Sequence, residues 1–347
     1  MARVLIVIVV YNGIEYLKEC LSSLSGATYP KQRFEILVVD NASTDGSAAY
    51  VREHWVEVKL LENQANVGFA AANNIGMQLG IDRGFDYVYL LNQDTAVAPD
   101  FLDEAVRVAR ADQQIGAVQS KLLLYHDQGN INSIGNEIHY LGFAFAGGYR
   151  RPDAPMKVTE ITYPSGASVL LRASALKDIG LFNPDFFMYH EDVDLGWRLW
   201  LGGYRVVLAP ASVVYHKYEF SKSIKKFYYM ERNRRLVMLQ NYKLGTLLLI
   251  APAYLVMSLA LFIYSCFAGW GGQSLRILGY FLSVKNWRKI IATRRRVQKS
   301  RRLGDGEIVK RFVGKIEFQD LQNPLLRSVA NPIFNAYWQV AKRLIWW

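Results

Sequence analysis

The sequence predicts an α/β fold with a mainly parallel central sheet and helices on both faces, followed by a helical region that associates with a membrane. Two patterns support this prediction. Short apolar runs typical of buried strands alternate with helical patterns through the first 125 residues. An uncharged run then covers positions 244–275, which exceeds the roughly 20 apolar residues that a helix needs to cross a bilayer.

Composition and charge divide the chain into two parts. The 347 residues are 51% hydrophobic and 20% charged, which is typical of a folded protein rather than a disordered one. Positions 1–210 carry 17 Lys and Arg against 24 Asp and Glu, whereas positions 211–347 carry 24 against 6. The net charge of +11 therefore hides an acidic first part and a strongly basic second part, and we expect these parts to meet different partners.

Four apolar runs in the first part predict strands. The first run leads into a helical pattern with apolar residues on one face, and the second ends in turn-forming residues. A helix rich in small residues lies between the third and fourth runs. The predicted strands cover 3–10, 34–40, 56–63 and 86–92, the small-residue helix covers 68–80, and the apolar face of the first helix carries Ile14, Leu17, Leu21 and Leu24.

Regular patterns weaken over 129–164, where we expect loops and a hairpin, and they return afterwards. A strand and a helix are predicted over 165–176, and an amphipathic helix over 191–201. Within this last helix, Asp194 and Arg198 have the spacing of a surface ion pair. The residues that we expect it to bury are Val193, Trp197 and Trp200, and the short strands predicted after it cover 204–210 and 212–217.

The charges around the apolar run favour a membrane partner over nucleic acid. Basic clusters lie on both sides of the run, so a helix that simply crossed a bilayer would place one cluster on the disfavoured side. Pro252 also removes a backbone donor near the middle of the run. We therefore favour a re-entrant or interfacial helical hairpin on an anionic membrane surface over a single span, with a buried helix of a soluble domain as a further alternative. The first cluster comprises Lys222, Lys225, Lys226, Arg232, Arg234 and Arg235, and the second extends over 285–302.

The N-terminal apolar segment does not resemble a signal peptide, because it is only eight residues long and lacks a small-residue cleavage site. We therefore expect the first part of the chain to lie at the cytoplasmic face of the cell membrane. Cys20 and Cys266 are the only cysteines. Their positions predict packing roles, with no disulfide and no metal site.

Acidic residues follow the predicted strands at three places. Asp40 ends the second strand, Asp94 follows the fourth, and the pair Glu191 and Asp192 opens the amphipathic helix. Open α/β sheets bind ligands outside the carboxyl ends of their strands. The pattern therefore predicts one crevice lined by carboxylates, which indicates an enzyme.

Six segments, in order, resemble the motifs of family 2 glycosyltransferases, which have the Rossmann-like GT-A fold. The resemblance covers about residues 3–217 and is greatest to the rhamnosyltransferase-like branch, which builds cell-surface polysaccharide on lipid carriers. Each segment alone is a weak signal, and their order makes the resemblance specific. The segments are VVYN (9–12), VVDNASTDGS (38–47), NQANVGFAAANNIG (63–76), LLNQDT (90–95), PSGASVLLR (164–172) and FFMYHEDVDLGWRLWLGGYR (186–205).

The resemblance implies a site for a nucleoside-diphosphate sugar. It implies that Asp40 accepts a hydrogen bond from the imide N–H of the base, although Asp40 also suits an Asx turn and Asp45 suits helix capping. Tyr11 packs either on the base or simply within the protein, and Gly68 lets backbone amides approach an anion. The implied donor-binding residues are Val10, Tyr11, Asn12, Asp40, Asn41, Asn66, Gly68, Asn73, Asn92, Gln93, Gly166 and Ala167.

The metal motif departs from the family pattern. Family members usually have Asp-x-Asp, whereas this chain has Asn92-Gln93-Asp94, so that an amide replaces the first carboxylate. The resemblance implies that Asp94 binds Mg²⁺ or Mn²⁺ together with phosphate oxygens of the donor. It also implies that His216 is a second ligand, although an isolated histidine is as often a hydrogen-bonded structural residue.

The resemblance assigns the general base to Asp192, with Glu191 bracing the site or touching the acceptor. Acids at the start of a helix are also favoured by the helix dipole without any catalytic role, and this is the alternative for both residues. The implied reaction is an inverting transfer in which Asp192 takes the proton of the acceptor hydroxyl.

The donor expected from the branch is dTDP-L-rhamnose, and the expected acceptor is a lipid-linked saccharide. A polyprenyl-phosphate sugar synthase or another UDP-sugar transferase is the alternative among enzymes, and a non-catalytic nucleotide-sugar sensor or scaffold is the alternative of another class. We expect no nucleic-acid partner, and a homo-oligomer is compatible with the sequence. The expected segments are a catalytic domain over 1–217, a membrane-associated helical region over 218–303 and a C-terminal tail over 304–347.

Overall fold

The computed structural model describes residues 1–218, 227–317 and 324–347. The chain divides into two compact units. The first comprises Met1–Asn136, Ala146–Leu199 and Tyr204–Glu219, and the second comprises Glu137–Phe145, Trp200–Gly203 and Phe220–Trp347. Lys222, Lys225 and Lys226 of the first basic cluster lie outside the described residues. The three segments expected from the sequence stay a prediction.

Twelve strands are present in the described residues, and ten of them form one sheet in the first unit. The separate two-stranded sheet consists of β8 and β9. In chain order the strands are β1 (Val4–Val10), β2 (Phe34–Asp40), β3 (Lys59–Glu62), β4 (Tyr87–Asn92), β5 (Thr95–Val97), β6 (Ile115–Leu124), β7 (Asp127–Ser133), β8 (Asn136–Ile138), β9 (Ala144–Ala146), β10 (Thr159–Glu160), β11 (Ser168–Arg172) and β12 (Arg205–His216).

The order of strands in the large sheet is β10-β12-β6-β11-β4-β1-β2-β3, with β5 on β12 and β7 on β6. The pairs among β3, β2, β1 and β4 are parallel, as the alternation of strands and helices predicts. β11 runs antiparallel between β4 and β6, and β12 is parallel to β6. The α/β fold is therefore confirmed, and the sheet becomes mixed beyond β4.

Helices cover the sheet of the first unit, and the second unit is mainly helical. β1 is almost completely buried, and α1 buries the residues predicted for its apolar face, except that Cys20 joins Leu17, Leu21 and Leu24 in place of Ile14. The helices are α1 (Ile14–Ser25), α2 (Ser47–His54), α3 (Phe69–Asp82), α4 (Phe101–Ala111), α5 (Ala173–Ile179), α6 (Glu191–Leu201), α7 (Phe227–Asn241), α8 (Leu244–Phe267), α9 (Gly271–Leu282), α10 (Val284–Ser300), α11 (Asp305–Ile308) and α12 (Asn331–Leu344).

The structure corrects two details of the sequence prediction. The two short strands predicted over 204–217 are one strand, β12, whose pairing with β6 is irregular between Ala209 and Val213. Pro210 lies in this irregular stretch, and proline cannot donate to a ladder of hydrogen bonds.

The ion pair of Asp194 and Arg198 forms with a distance of 2.7 Å, but it is buried rather than on the surface. Arg198 also donates to the carbonyl oxygens of Ile179, Gly180 and Leu181, so it fixes the chain after α5 against α6. The burial of Val193, Trp197 and Trp200 is confirmed.

The apolar run forms α8, one helix that continues through Pro252. Within the described residues, α8 is the one helix long and apolar enough to cross a membrane, with a mean hydropathy of 2.3 in its most apolar window. Both cysteines are free; Cys20 is buried in α1, whereas Cys266 is exposed on α8. The packing role expected of Cys266 is therefore wrong.

Helix α3 needs small residues because it lies close to the sheet. A Cβ atom on Gly76 would lie 2.4 Å from Cγ1 of Val7 in β1. We expect Gly76→Ala to lower the free energy of unfolding by about 1–3 kcal/mol through overpacking. Gly279→Ala is the control, since Gly279 is also helical but faces open space, and there Ala should be neutral or stabilising by about 0.5–1 kcal/mol. Urea unfolding measures both, and equal effects would contradict this account of α3.

Candidate active site

The carboxyl ends of three neighbouring parallel strands bring the predicted site residues to one edge of the sheet. Val10 in β1 pairs with Asp40 in β2, and Val9 pairs with Asn92 in β4. Asp40 and Asn92 are thus two strand spacings apart, or about 10 Å. β11 is antiparallel and begins at this same edge, where Ser168 pairs with Leu91. Gly166 and Ala167, which precede β11, therefore lie there too.

The loops after β1 and β2 are tied together by hydrogen bonds. The amide of Asn12 donates to Oγ of Ser43 over 3.0 Å, and its side-chain oxygen accepts from the amide of Thr44 over 2.8 Å. Asn12 has a positive φ of 47°, a conformation that asparagine tolerates better than most residues. Tyr11, beside it, is 47% exposed. These contacts hold the loop after β1 and leave the Tyr11 ring accessible.

Asp45 has the capping role expected from the sequence. One carboxylate oxygen accepts from the amide of Ile14, the first residue of α1, over 3.0 Å. The other accepts from the amide of Ser47, the first residue of α2, also over 3.0 Å. One side chain therefore satisfies donors at the starts of two helices.

The two carboxylate oxygens of Asp40 have different environments. Oδ2 accepts from the amide of Ser43 over 3.0 Å, which is the Asx turn considered as the alternative. Oδ1 is buried and has no hydrogen-bond partner among the described residues. A buried acceptor without a partner is costly in a protein. The turn and a ligand contact are therefore compatible, because they use different oxygens.

Asn41 holds the segment that leads into α3. Its side-chain oxygen accepts from Asn63 and from the amide of Val67, each over 3.1 Å, and its amide nitrogen donates to Asn66 over 2.9 Å. The oxygen of Asn66 accepts in turn from the amide of Gly68 over 2.9 Å. Asn41 is buried, so its polar atoms are used within the protein.

Gly68 makes a close approach that the sequence did not indicate. Its φ is +86°, and a Cβ atom there would lie 2.7 Å from the carbonyl oxygen of Phe187. That same carbonyl accepts from the amide of Ala70 over 3.1 Å. Asn73 is buried and donates to the carbonyl of Phe69 within α3. The start of α3 is therefore packed directly on the segment that precedes α6.

The segment before α6 has a strained backbone. Phe187, Tyr189 and His190 have φ values of 65°, 66° and 67°, which are rare for residues with large side chains. Strain of this kind persists only where the surrounding structure imposes it, and it is frequent at functional sites. It places Glu191 and Asp192 at the first turn of α6.

The motif Asn92-Gln93-Asp94 contacts three parts of the site. The amide of Asn92 donates to the carbonyl of Ala167 over 2.9 Å, and Oδ1 of Asn92 is buried without a partner among the described residues. Oε1 of Gln93 accepts from the amide of Tyr11 over 3.1 Å. The Gln93 side chain also fills the space where a Cβ atom of Gly13 would lie, 2.2 Å away. Gln93 thus joins the motif to the loop after β1, a role that the sequence gave no signal for.

Sheet pairing brings Asp94 and His216 together. Thr95 in β5 pairs with His216 in β12, and Nε2 of His216 lies 3.4 Å from Oδ1 of Asp94. Nδ1 of His216 lies 2.9 Å from the side-chain oxygen of Asn132, which fixes the ring. Burial acts to raise the pKa of Asp94, but the adjacent His216 and Lys217 outweigh burial and hold that pKa below its usual value.

This pair of side chains is suited to a divalent cation whose remaining coordination positions are filled by water and by a bound phosphate ligand. A group of three or more His, Cys, Asp or Glu side chains suited to a metal was not found in the described ranges. Asp94 and His216 offer two donors, and the second nitrogen of the histidine is held by Asn132 in the way typical of metal-ligating histidines. Mg²⁺ and Mn²⁺ commonly take one or two protein ligands and fill the remaining positions with water and phosphate oxygens.

Glu191 is a buried acid and Asp192 is a half-buried one, and both have raised pKa values. Asp192 accepts from the amide of Gly166 over 3.2 Å and from its neighbour Val193 over 2.8 Å, and burial raises its pKa to about 6. Burial, together with the negative charges of Asp192 and Asp194, raises the pKa of Glu191 well above its usual value. Oε2 of Glu191 has no partner within the part of the chain that the structure describes. A carboxylate with a pKa near 6 is suited to accept a proton at neutral pH.

The chain is similar in sequence to two relatives whose activities are named. One is N-acetylglucosaminyl-diphospho-decaprenol L-rhamnosyltransferase of Mycobacterium tuberculosis, which is 30% identical over 238 residues and covers 61% of this chain and 75% of the relative. Another is poly-beta-1,6-N-acetyl-D-glucosamine synthase of Staphylococcus epidermidis, which is 27% identical over 205 residues and covers 58% of this chain. The match spans 47% of that synthase, so it concerns about half of its length.

Solved structures support the fold. Residues 1–349 of S. aureus TarS superpose with a TM-score of 0.52 at 18% identity, covering 98% of this chain and 90% of that one. GalNAc-T7, solved with UDP, GalNAc and Mn²⁺, gives a TM-score of 0.57 at 17% identity and covers 69% of this chain and 48% of its own. At these identities the similarity shows the fold alone.

The family follows from the sequence match together with the geometry of the sheet edge. The model of glycosyl transferase family 2 matches residues 5–180. This range includes Asp94 and all the residues that the sequence predicted for donor binding. The chain therefore belongs to glycosyl transferase family 2, the family that its motifs resemble.

Proposed function

We propose that this enzyme transfers L-rhamnose, with inversion, from dTDP-L-rhamnose to a saccharide carried on a lipid diphosphate. The observation that carries the proposal is the shared sheet edge, which brings together the free oxygen of Asp40, the pair of Asp94 and His216, and the half-buried carboxylate of Asp192. The similarity to the mycobacterial L-rhamnosyltransferase supports the donor and the class of acceptor.

The donor nucleotide is held by the loops after β1 and β2. Oδ1 of Asp40, which is buried without a partner among the described residues, accepts the imide N–H of the base. The exposed ring of Tyr11 packs on the base, and Val10 and Asn12 shape the loop beneath it. Among the other residues implied for the donor, Asn41, Asn66 and Asn73 act by fixing the start of α3, since their polar atoms bind neighbouring protein groups.

The diphosphate lies between the start of α3 and the Asn92-Gln93-Asp94 motif. Asp94 and His216 would hold a divalent cation here, and their mixed oxygen and nitrogen donors fit Mn²⁺ as well as Mg²⁺. When bound, the cation neutralises charge that develops on the leaving diphosphate. Asn132 positions the His216 ring, and the unpaired amide oxygen of Asn92 is directed to the ribose or to water.

Asp192 acts as the general base. Its carboxylate takes the proton of the acceptor hydroxyl while the acceptor oxygen bonds to the anomeric carbon and the bond from that carbon to the diphosphate breaks. The amide of Gly166 orients the carboxylate, and the carbonyl of Ala167 holds Asn92 across the site. Glu191 lies beside the base, and because two adjacent acids resist simultaneous ionisation, the charge of Asp192 helps to hold the pKa of Glu191 well above its usual value.

The location proposed for this reaction is the cytoplasmic face of a membrane. The apolar helix α8 and the excess of basic residues after position 210 support it. A lipid-linked acceptor would also be presented at such a surface.

The decisive experiment is a turnover assay with the purified full chain and a panel of nucleotide sugars. We expect release of dTDP from dTDP-L-rhamnose with a lipid-linked acceptor, and Asp192→Asn should lower kcat by about 10²–10⁴-fold. Nucleotide affinity, measured by calorimetry, should be unchanged in this variant because Asp192 does not touch the donor nucleotide. Full activity of Asp192→Asn would refute the base assignment, and failure of every donor to turn over would favour the sensor or scaffold alternative.

The cation site gives a separate prediction. Asp94→Asn removes a charged ligand, so Mn²⁺ should lose its effect on the thermal stability of the protein in the presence of dTDP, by the linkage between binding and unfolding. Asp82→Asn, an exposed substitution on α3, is the matched control and should leave the Mn²⁺ effect intact. An unchanged Mn²⁺ titration of Asp94→Asn would contradict the assignment.

The pKa of Asp192 sets the pH dependence of the reaction. The raised pKa of about 6 keeps the Asp192 carboxyl protonated at acidic pH. We therefore expect kcat/KM to increase with pH through about 6 and to reach a plateau above it. Glu191 and Asp192 titrate as a pair, so the measured pKa belongs to both. Nucleotide affinity measured over the same pH range should show no such step. A pH profile whose acid limb lies at the ordinary pKa of aspartate would contradict a raised pKa for Asp192.

A further inference from the structure

Exposed apolar side chains are concentrated in the second unit. Most of the large ones in the described residues lie on α8, α9, the start of α10 and the C-terminal segment 325–346. So many exposed large apolar side chains in one unit are unusual for a soluble protein and indicate a contact with another phase or molecule.

Helix α8 is packed on one side and apolar on the other. The buried side carries Thr246, Ile250, Ala253 and Met257, whereas Leu248, Leu255 and Leu259 are more than half exposed. Successive members are three or four residues apart on the buried side and seven or four apart on the exposed side, so the two sets form opposite faces of one helix. The exposed face is available along the length of the helix and not at one end.

The packed side of α8 lies against charged groups. The guanidinium of Arg234 lies 5.8 Å from the ring of Tyr254, in the middle of α8, and it pairs with Glu231 over 2.6 Å. Both partners are buried in the second unit. An α8 that crossed a bilayer would bring this ion pair to the depth of the hydrocarbon, which is costly. The contacts therefore favour an orientation along a membrane surface.

The first turns of α8 are also fixed by polar contacts. The amide of Lys243 and Oγ1 of Thr246 both donate to the buried carboxylate of Asp305, over 2.7 and 2.6 Å. Thr246 also accepts from the indole N–H of Trp347 over 3.0 Å. Tyr337 of α12 donates to the carbonyl of Leu249. The C-terminal segment is thus an integral part of the second unit, bound to the start of α8.

Helix α12 and the turn before it have two apolar faces. One face is buried and carries Phe334, Trp338, Ala341 and Ile345. The other, which we name the C-terminal stripe, is exposed and comprises Leu325, Val329, Ile333, Val340 and Leu344. A surface helix of a soluble protein needs only one apolar face. The stripe and the exposed Trp346 after it therefore serve a purpose outside the fold of the unit.

The charges beside these faces indicate what covers them. Helix α10 has no acidic residue, and it exposes Lys285, Arg288, Arg295 and Arg296. Its exposed apolar residues Val284, Trp287 and Ile291 follow helical spacing and form a stripe among these bases. Apolar stripes flanked by Lys, Arg and Trp are typical of helices that lie in the interface of an anionic bilayer. A protein partner would have to be both apolar and acidic.

We propose that the second unit is a monotopic membrane-binding module, in which the C-terminal stripe enters an anionic bilayer together with the exposed faces of α8 and α10. The helices described in this unit lie in the plane of the interface, and none of them crosses it. This goes beyond the single apolar run recognised in the sequence, because it makes residues 325–346 a second membrane contact. It deepens the membrane location in the proposed function, yet its test needs no turnover.

The first experiment measures binding of the full chain to vesicles by flotation. We expect binding to vesicles of phosphatidylglycerol and phosphatidylcholine, and much weaker binding to phosphatidylcholine alone. The variant Ile333→Gln, Val340→Gln, Leu344→Gln should reduce partitioning by about tenfold to a hundredfold, since three large apolar side chains no longer enter the bilayer. Val56→Gln with Val158→Gln makes the same kind of change at two exposed sites of the first unit, and should have no effect.

The outcomes of this experiment separate the possible occupants. Equal binding of the stripe variant and the control variant, with native urea unfolding for both, would overturn the proposal. So would equal binding to neutral and anionic vesicles. A dimer in the absence of lipid that dissociates in the stripe variant would instead make the stripe an interface between protein molecules.

The native cysteines allow a second test that distinguishes lying from crossing. Cys266 is exposed near the end of α8, whereas Cys20 is buried, and burial raises its pKa to about 12. A maleimide that cannot cross membranes should therefore react with Cys266 alone. In spheroplasts that express the chain we expect no labelling from outside and labelling after lysis in detergent. Labelling from outside would show that α8 crosses and would overturn the monotopic arrangement.

Discussion

The parallel pairing of β2, β1 and β4 is the constraint on which the site depends. Because the strands run in one direction, their carboxyl ends meet at one edge, and the register places Asp40 and Asn92 on either side of Val10 and Val9. Side chains that are far apart in the sequence are thereby held within about 10 Å by backbone hydrogen bonds. A slip in this register by one residue would move every side chain of the strand to the opposite face of the sheet.

The carboxylates at this edge have opposite electrostatic environments. His216 and Lys217 keep the pKa of Asp94 low despite burial, which suits a group that holds a cation. Asp192 is half-buried and accepts hydrogen bonds from the backbone amides of Gly166 and Val193, and its pKa is raised. Enzymes commonly use two titratable groups of one site in different roles when their environments shift the two pKa values in opposite directions. The same residue type is therefore suited to two different roles in the proposed reaction, and the neighbouring groups determine which role each residue suits.

Several side chains hold the site by binding protein rather than ligand. Gln93 joins the motif to the loop after β1, and Asn132 orients His216. The carbonyl of Phe187 joins the start of α3 to the segment before α6. None of these contacts follows from local sequence, because each links residues that only the fold makes neighbours. Asn41 was expected to touch the donor from its position in a motif, and its hydrogen bonds show why it can act by fixing a loop.

The sequence by itself determined the α/β class, the succession of the main strands along the chain, the family and the positions of the acids, because strand patterns and motifs are local and periodic. It did not determine that β12 is continuous. The pattern around Pro210 predicted two short strands, whereas the structure has one strand with irregular pairing at this point. The sequence also placed the pair of Asp194 and Arg198 on the surface, because helical spacing specifies a partner but not burial. Only the tertiary structure decided which carboxylate oxygens are free, which pKa values shift and which face of α12 is exposed. Those properties depend on the packing of distant segments, and no local pattern encodes that packing.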